Sequence, residues 1–539
     1  MFNLPGKGKR DSKPAQGGRS PAEETQVPAE ESTISAGQKG SEVGESVAVA
    51  QGQVAAEPAE EQAAVGDPAG EQAVAQGQAA GGDPAEEQAG VGAVEQRADA
   101  EPAGEQAAVG ESAEQQAGAT THPTHTPQPP QPTHTTHPTQ EFKERWDHRA
   151  DLAYQAVYER HASRLWGIPR TTLGIIAWPP TTRDRLFVRW HYWWQAHYID
   201  NLIDAAVRRP TTSRIHAIRR HLRAMRIRNI SRLSANNYYD DKAWLALALQ
   251  RAANEPKISA KLNAARDLEP LVENIFEGVD SLTGVLPWRT NETFYNVPTN
   301  GPAAILAARN GDIETAERLV DWTFDNLINE DGLVMDGIHM RMAGPEPVTA
   351  LHPYCQGVML GACVELARAR RRAAGVGDEE VSDVGVKEIT RIHGLLRAIE
   401  NHMTDHDSAI NVRTGGGDGG LFNGILARYL SLVVECLPTP GRHGTESVAI
   451  ARRIVLATAE QVWRFRLEVD GLPVFSADWT KDATMPQAGG LVGATIAGAV
   501  ASSDIAERDL SVQLSGWMLM EAAARVSAAG ARVSAAGAL

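Results

Sequence analysis

The order of hydrophobic and polar positions is helical along almost the whole segment from residue 145 to residue 525. Apolar residues recur there at spacings of three and four, which places them on one face of a helix. Short strand candidates, such as Leu472–Ser476, are too few to form a sheet-based core. The pattern predicts twelve helices, at residues 146–166, 183–208, 212–227, 238–254, 258–279, 300–310, 312–329, 353–374, 385–404, 418–436, 444–465 and 507–527.

Successive predicted helices alternate in character. The fourth, around AWLALALQRAA, and the sixth, around GPAAILAAR, are apolar nearly all round, whereas the seventh and the ninth carry a charged stripe. A helix that is apolar all round is buried, and one with a charged face lies at the surface. We therefore predict an all-α fold in which six helical hairpins close into an (α/α)6 barrel. An open helical solenoid is the alternative, but no repeat of fixed length supports it.

The first 140 residues do not follow this helical pattern. They contain a single aromatic residue, Phe2, and a recurring unit of the type EPAEEQA whose spacing is too irregular for stacked repeats. A segment rich in Gly, Pro, Gln and Glu cannot offset its ordering entropy by burial. We predict that residues 1–140 form a disordered tail, that residues 141–528 form the barrel domain, and that residues 529–539 fray.

The end of the tail is a spacer rich in Pro, His and Thr, at residues 121–139. Its two His-x-x-His pairs raise the question of a metal site. No carboxylate or cysteine is nearby to complete such a site, so we predict no metal and no cofactor. The histidines concerned are His122, His125, His134 and His137.

The negative charge of the chain is concentrated in the tail. Residues 1–140 contain 7 Lys and Arg against 21 Asp and Glu, whereas the whole chain of 539 residues has 52 against 68 and a net charge of −16. The rest of the chain is therefore nearly neutral and offers no overall basic stripe for counterion release, so we expect no nucleic-acid partner. The longest uncharged run, Ala483–Ser503, is too weakly apolar to span a membrane.

The cysteines and the start of the chain bear on its location. Cys355, Cys363 and Cys436 are too few for a disulfide framework and are expected to be free. The first residues, MFNLPGKGKRDSKPAQ, are charged and are followed by no apolar stretch typical of a signal peptide. We expect a cytoplasmic monomer, with the cell envelope or secretion by a non-standard route as the alternative location.

The most specific chemical feature is the pair Asp240-Asp241. Two carboxyl groups in one cleft repel each other, which raises the pKa of one and leaves the other ionised. Cleavage of a glycoside with retention needs that division between a nucleophile and an acid. Consecutive helical residues diverge by about 100°, so both reach one cleft only near a helix end. Acidic residues are also common in a first helical turn, but the surrounding Asn, Tyr and Trp residues favour a sugar cleft.

Other residues with suitable chemistry stand in the loops before the predicted inner helices or within those helices. Flat aromatic rings cover the apolar faces of sugars, while carboxylates and amides bind their hydroxyl groups. For the amides and carboxylates, bracing a loop is the alternative role, and for the tryptophans it is core packing. The candidates for substrate binding are Asn237, Tyr239, Trp194, Trp288, Asn300, Asp336, Tyr354, Gln356 and Asp418.

Six blocks of the chain resemble glycoside hydrolase family 76, the α-1,6-mannanases, and they occur in the order of that family. They are HYWWQAHYIDNLIDA, NNYYDDKAWLALALQRA, LPWRTNETFYNVPTNGPAAILAAR, EDGLVMDG, HPYCQGVMLGACVEL and GDGGLFNGILARYL. The resemblance runs from about Trp146 to Arg525. One departure is Cys355, where the family pattern leads us to expect Asn.

This resemblance implies an (α/α)6 barrel that cleaves α-1,6-mannan internally and with retention. It also implies that Asp240 is the nucleophile and Asp241 the general acid/base, with α-1,6-mannan or a mannose-containing lipoglycan as the substrate. A mannan transglycosidase and a non-catalytic glycan-binding module are the alternative functions. An epimerase on the same kind of barrel is the structural alternative, and it would need catalytic histidines on inner helices.

Overall fold

Helices form most of the part of the chain that the computed structural model describes, which is residues 138–230, 232–439, 441–487, 495–496 and 499–536. Twelve of the helices in these ranges are long, and two have four residues. In chain order they are α1 (Pro138–His161), α2 (Thr182–Arg185), α3 (Tyr192–Arg208), α4 (Thr212–Arg228), α5 (Tyr239–Asn254), α6 (Pro256–Ser259), α7 (Ala265–Phe276), α8 (Val297–Asn310), α9 (Ile313–Asn326), α10 (Pro353–Ala374), α11 (Val386–His402), α12 (Phe422–Cys436), α13 (Arg442–Arg464) and α14 (Leu510–Ala536).

The named strands are short, and each pairs in antiparallel fashion with a strand that is next to it in chain order. Three of them form a small sheet in the order β3-β4-β5, and the other six form three pairs. They are β1 (Ala162–Ser163), β2 (Leu173–Gly174), β3 (Phe294–Asn296), β4 (Gly337–Arg341), β5 (Gly344–Val348), β6 (Leu467–Val469), β7 (Leu472–Val474), β8 (Thr495–Ile496) and β9 (Ala499–Val500).

The twelve long helices correspond one to one to the twelve predicted from the sequence, with different bounds at some ends. α3 begins at Tyr192 rather than at residue 183, because the chain adopts positive φ at Phe187 (53°) and His191 (45°). α1 begins at Pro138, inside the predicted spacer, and α14 continues to Ala536, inside the segment predicted to fray. The four histidines of the spacer and the acidic repeats lie outside the described residues.

Six of the helices form a closed inner ring. In ring order these are α3, α5, α8, α10, α12 and α14, each packed against the next, and α14 packs back against α3. Each inner helix also packs against one outer helix, namely α4, α7, α9, α11, α13 and α1 respectively. The inner helices are those with few exposed positions, as their apolar composition predicted. The predicted (α/α)6 barrel is therefore confirmed.

Glycines allow the inner helices to approach one another closely. A Cβ atom on Gly357 of α10 would lie 2.8 Å from the Cα of Leu426 on α12. A Cβ atom on Gly424 of α12 would lie 2.6 Å from the Cα of Ser515 on α14. Since no side chain fits in those spaces, glycine at these two positions sets the spacing of three neighbouring inner helices.

A buried ionic cluster links four inner helices. Asp204 of α3 accepts hydrogen bonds from Arg251 of α5, from Arg428 of α12 (2.9 Å) and from Arg525 of α14 (3.2 Å). Asp200 of α3 is bound by Arg251 and Arg428 as well. Burial alone would raise the pKa of Asp204, but the three guanidinium groups hold it below its ordinary value.

The inner helices all begin at the same end of the barrel, because each follows an outer helix that runs the opposite way. We call this the cleft end and define it by the loops that precede the inner helices, residues 162–191, 229–238, 277–296, 327–352, 403–421 and 465–509. Among the described helices, none is both long and apolar enough to cross a membrane. The three cysteines are free.

Candidate active site

Asp240 and Asp241 occupy the first turn of α5 and are both buried, with 6% and 8% of their surface exposed. The helix begins just after Tyr238, whose extended backbone turns the chain into the barrel. As the helical geometry required, the pair sits at a helix end, where consecutive side chains can share one cleft. Unpaired backbone N–H groups at this end also favour negative charge.

The two carboxyl groups have different hydrogen-bond partners. Asp240 accepts two bonds, from the indole N–H of Trp288 to Oδ2 (3.0 Å) and from the backbone N–H of Asp241 to Oδ1 (2.9 Å). Asp241 Oδ2 accepts one from the side-chain amide of Asn236 (2.7 Å). The amide is itself oriented, since Asn236 Oδ1 accepts the backbone N–H of Tyr238 (2.9 Å). Asp240 therefore has the stronger support for its ionised form.

Burial raises the pKa of both members of the pair. Burial raises the pKa of Asp240 to about 7, and the negative charge of Asp418 adds to this effect. The hydrogen bonds from Trp288 and from the backbone act in the opposite direction. For Asp241 burial raises the pKa further, well above the ordinary value, and the neighbouring charge of Asp240 adds to this effect. The two groups titrate as a pair, and the stronger donors on Asp240 favour its ionised form over that of Asp241.

Asp418 stands before α12 and is held from three sides. Its Oδ1 accepts the indole N–H groups of both Trp193 and Trp194, each at 2.8 Å, and its Oδ2 accepts the backbone N–H of Val500 at 2.8 Å. Burial raises the pKa of Asp418 to about 6 in spite of these donors. The carboxyl group therefore fixes the two indole rings at the start of α3.

The glycine-rich loop around Asp418 packs closely against the segment that contains Val500. Gly417 has φ +61°, and a Cβ atom there would lie 2.0 Å from the carbonyl oxygen of Val500. A side chain at this position would push the two segments apart and break the bond between Val500 and Asp418. The loop serves close packing of two backbone segments at the cleft end.

Asp336 is a fourth buried carboxyl group of the cleft. It lies between β4 and the preceding turn, and its closest side-chain partner is the thiol of Cys355 on α10, with 3.7 Å between Sγ and Oδ1. Burial raises the pKa of Asp336 to about 7, and the charge of Asp240 adds to this effect. Burial raises the pKa of Tyr354 well above its ordinary value, and the negative charges of Cys355, Asp336, Asp240 and Asp418 add to this effect.

Aromatic side chains line the same region. The ring of Tyr354 stacks on Phe422, with 4.2 Å between centroids, and Trp288 meets Tyr238 edge to face at 5.0 Å. The indole rings of Trp193 and Trp194, which donate to Asp418, add to this flat apolar surface. The same region contains the four buried carboxyl groups whose pKa is raised, namely those of Asp240, Asp241, Asp336 and Asp418. Such a cleft suits the binding of polyhydroxylated rings and acid–base chemistry at a bond that joins two of these rings.

Comparison with known proteins agrees with this chemistry. The sequence model of glycosyl hydrolase family 76 matches residues 147–504, well over half of the chain. The chain belongs to this family. It is therefore a glycosidase, which removes the epimerase alternative, and the resemblance read from the six sequence blocks is confirmed.

Solved structures support the family fold. The GH76A α-1,6-mannanase of Salegentibacter sp. HEL1_6 is 24% identical with a TM-score of 0.56, and the match covers 71% of this chain and 99% of that one. An inactive variant of it, with two adjacent aspartates replaced by asparagine, is in complex with α-1,6-mannotriose and matches equally well. A family 76 mannosidase of Bacteroides thetaiotaomicron is 14% identical, with a TM-score of 0.51 and coverage of 72% and 100%. No curated protein sequence matches the chain.

Two of the candidate sugar ligands of this family 76 chain are loop braces instead. Asn300 is fully buried, accepts the backbone N–H of Leu286 (2.9 Å) and donates to the carbonyls of Leu286 and Asn296 (both 2.9 Å). Gln356 is equally buried, and its amide is used by the backbone of Val334 and His352. Neither amide has an atom free for a ligand, so both hold loops of the cleft end in place.

Two other candidates lie beside the carboxyl cluster of the family 76 cleft. Asn237 is exposed and lines a cavity of about 440 Å³ together with residues 289–293. The ring of Tyr239 packs against Gly278, where a Cβ atom would lie 2.3 Å from it, and lies 4.0 Å from the ammonium group of Lys242. The structure thus places Tyr239 toward α7 and Asn237 at the mouth of the cleft.

Sequence reasoning did not select two residues that the structure puts beside Asp240 and Asp241 in this family 76 chain. Asn236, which binds Asp241, was recognised only as part of a polar run. Lys242 follows the pair directly and is mostly buried. Burial lowers its pKa to about 8, although the negative charges of Asp240 and Asp241 act in the opposite direction. Two signals could have identified them. Asn236 stands just before a predicted helix, from where its side chain can reach the first turn, and Lys242 is a lysine directly beside two carboxyl groups.

Proposed function

We propose that this chain is a retaining endo-α-1,6-mannanase, with Asp240 as the nucleophile and Asp241 as the general acid/base. The observation that carries the proposal is the unequal support of two adjacent buried carboxyl groups. Asp240 accepts an indole N–H and a backbone N–H, whereas Asp241 accepts one amide N–H. The first group is therefore prepared to be ionised and the second to carry the proton.

The reaction follows from this division. Asp240 attacks the anomeric carbon as the glycosidic bond breaks, and Asp241 gives its proton to the departing oxygen, so that a mannosyl ester of Asp240 forms. Asp241, now ionised, takes a proton from water as the water attacks the ester, which releases the sugar with its original configuration.

The linkage is proposed from the relatives. The Salegentibacter enzyme is an α-1,6-mannanase, and its doubly substituted inactive form holds α-1,6-mannotriose. Two adjacent aspartates in that enzyme, and two adjacent aspartates at the start of α5 in a chain of the same family, support a shared substrate class. A polymeric glycan of this linkage, free or attached to lipid, is the substrate that we propose.

The test is to incubate the full chain with linear α-1,6-mannan and to separate the products over time. A ladder of short oligomannosides at early times supports internal cleavage, and an α-configured first product, followed by NMR, supports retention. Products longer than the starting chains would indicate a transglycosidase. Binding without any product would indicate a glycan-binding module.

A matched pair of variants ties the activity to the site. Asp240→Asn removes the proposed nucleophile, and Asp325→Asn makes the same change on the exposed side of α9. Mannan cleavage that is lost in the first variant and unchanged in the second assigns the activity to this cleft. Cleavage that survives Asp240→Asn would contradict the proposal.

A further inference from the structure

Exposed apolar side chains are distributed unevenly over the barrel. Eleven large hydrophobic residues are exposed among the described residues, and three of them, Val207, Val381 and Val386, lie outside the cleft-end loops. The other eight lie within those loops, and their side chains meet solvent rather than the core. They are Trp166, Leu186, Val188, Ile230, Leu282, Met340, Met342 and Met485.

Four of these residues form one patch beside the start of α3, which we call the rim patch: Trp166, Leu186, Val188 and Ile230. The indole N–H of Trp166 donates to the carbonyl of Leu186 at 2.8 Å. Arg228, two residues before Ile230, donates to the carbonyl of Val188 at 3.4 Å. These bonds bring three separate segments of the chain together at one edge of the cleft end.

The backbone holds part of the rim patch in a conformation that such residues rarely adopt. Trp166 has φ +47° and Ile230 has φ +50°, and a β-branched residue at positive φ is sterically unfavourable. Ile230 is nonetheless 88% exposed and Trp166 51% exposed. Strained backbone conformations and exposed apolar patches are both typical of functional surfaces, so the rim patch is a candidate binding surface.

Positive charge surrounds the rim patch, although the barrel as a whole is nearly neutral. Residues 162–191 contain five arginines and one acidic residue, and residues 223–236 contain four arginines and no acidic residue. Arg226 of the second segment is paired with Asp267, so the excess of positive charge there comes from the other three arginines. The single acidic residue, Asp184, is buried and caps α2 by accepting the backbone N–H of Thr181 at 2.8 Å. The exposed arginines of the first segment include Arg164, Arg170, Arg183 and Arg185.

We propose that the rim patch docks the cleft end of the barrel onto an anionic lipid surface. Tryptophan prefers the boundary between lipid and water, and aliphatic side chains gain from entering it. Arginines around them attract anionic headgroups. A glycan or a nucleic acid has no aliphatic region in which exposed Leu, Val and Ile side chains would be buried. The acidic tail of this chain complements the arginines, but its repeats carry no apolar side chain larger than Val.

Docking in this way brings the cleft close to the lipid surface. The rim patch continues through Trp190 into Tyr192, whose hydroxyl donates to the carbonyl of Leu233 at 2.9 Å, and α3 then presents the two indoles held by Asp418. A glycan anchored in the same membrane would meet the cleft without free diffusion. The docking itself does not depend on the proposed mannanase activity, because it uses none of the catalytic groups.

The test is co-sedimentation of the full chain with vesicles in the absence of any glycan. Vesicles of phosphatidylcholine with one third phosphatidylglycerol are compared with vesicles of phosphatidylcholine alone. We expect binding to the anionic vesicles that weakens as salt is added. The double variant Trp166→Ala/Ile230→Ser and the double variant Arg183→Gln/Arg185→Gln should each weaken binding at least tenfold. Val381→Ser/Val386→Ser, which replaces two exposed apolar side chains outside the cleft-end loops, should bind as the unaltered chain does.

Several results would overturn this proposal. Absence of binding to either vesicle, equal binding to both, or equal losses in rim-patch and control variants would each do so. Retention by duplex RNA but not by vesicles would assign the arginines to a nucleic acid. A dimer that Trp166→Ala dissociates, with no vesicle binding, would assign the patch to a second copy. A photoreactive residue in place of Trp166 that cross-links to the acidic repeats instead of lipid would assign it to the tail of the chain. Cleavage of soluble mannan by every variant reports separately on the catalytic proposal.

Discussion

Trp288 donates its indole N–H to Asp240 across 48 positions of sequence, with 3.0 Å between Nε1 and Oδ2. The ring is buried between Tyr238 and Phe294, which it meets edge to face at 5.0 and 5.9 Å, so its direction is fixed. Asp240 therefore has a rigid hydrogen-bond donor. Burial raises the pKa of Asp240, and this donor acts in the opposite direction. The bond therefore favours the ionised form of Asp240.

Replacing Trp288 by Phe should impair catalysis through the charge of Asp240. Phenylalanine keeps most of the apolar contact but has no N–H, and a hydrogen bond to a charged group contributes about 1.5–3 kcal/mol. The pKa of Asp240 should rise, so the acidic limb of the pH–rate profile should move up by about one pH unit or more, and kcat at neutral pH should fall by about tenfold or more. Trp322→Phe on α9 is the matched control and should leave the profile in place. A fall in rate with an unmoved acidic limb would show that Trp288 acts by another route.

The proposed roles of Asp240 and Asp241 should be distinguishable on a substrate with a good leaving group. An activated aryl α-mannobioside needs no proton for the first step, so Asp241→Asn should still release the aryl group once and then accumulate a mannosyl ester on Asp240. Asp240→Asn should give neither release nor ester. Rapid mixing followed by mass spectrometry of the intact protein measures both. Equal inactivity of the two variants on activated and natural substrates would mean that the roles are wrongly assigned.

Asp336 should make the protein less stable as pH rises. Burial raises its pKa to about 7 in the folded chain, above an ordinary value of 3.8, so between these values the folded state binds more protons than the unfolded state. The free energy of unfolding then falls with increasing pH through that window. Asp336→Asn removes the titration and should stabilise the protein by on the order of 1–4 kcal/mol at pH 8, with little effect at pH 4.

Urea denaturation at a series of pH values between 4 and 8 measures this difference. Asp478→Asn is the control, because hydrogen bonds and nearby cations outweigh the effect of burial and keep the pKa of Asp478 low. Asp478 is ionised through most of the window in both states and should contribute no slope above pH 5. If Asp336→Asn follows the same pH dependence as the unaltered chain, the proton is not held by Asp336.

The parts of this fold that could be predicted from sequence are those that depend on local pattern. Twelve long helices and their alternation between inner and outer positions follow from periodicity and from the apolar character of segments such as AWLALALQRAA. The late start of α3 could not be predicted. It depends on positive φ at Phe187 and His191, which side-chain type does not disclose.

The site divides in the same way. Asp240 and Asp241 stood out because they are adjacent at a helix start, which is local information. The partners of the carboxyl groups did not, since Trp288 and Trp193 reach Asp240 and Asp418 over 48 and 225 positions. Asn300 and Gln356 are of residue types that often bind sugars. Only the direction of their side-chain amides reveals that both polar atoms of each amide are bound to the backbone. Side-chain direction is set by packing that a motif does not contain.

The ionic cluster inside the barrel should be essential for stability. Arg428 is buried and binds both Asp200 and Asp204, so Arg428→Met leaves two buried carboxylates with part of their compensation removed. Removing one partner of a buried ion pair costs about 3–5 kcal/mol. Arg397→Met is the matched control, because its ion pair with Glu400 is formed by a side chain that is 55% exposed, and it should cost less than about 1 kcal/mol.

Acidification should reduce the effect of Arg428→Met. In the unaltered chain the depressed pKa of Asp204 contributes stability above the pKa of the unfolded state, and this contribution is lost as pH falls through the folded value. In the variant, Asp204 has one guanidinium group fewer beside it, so it can take up a proton more readily on acidification and remove part of the uncompensated charge. The difference in unfolding free energy between the two chains, measured in urea, should therefore be largest near neutral pH and shrink toward pH 4. A difference that is the same at every pH would show that Arg428 stabilises the barrel by packing rather than by its charge.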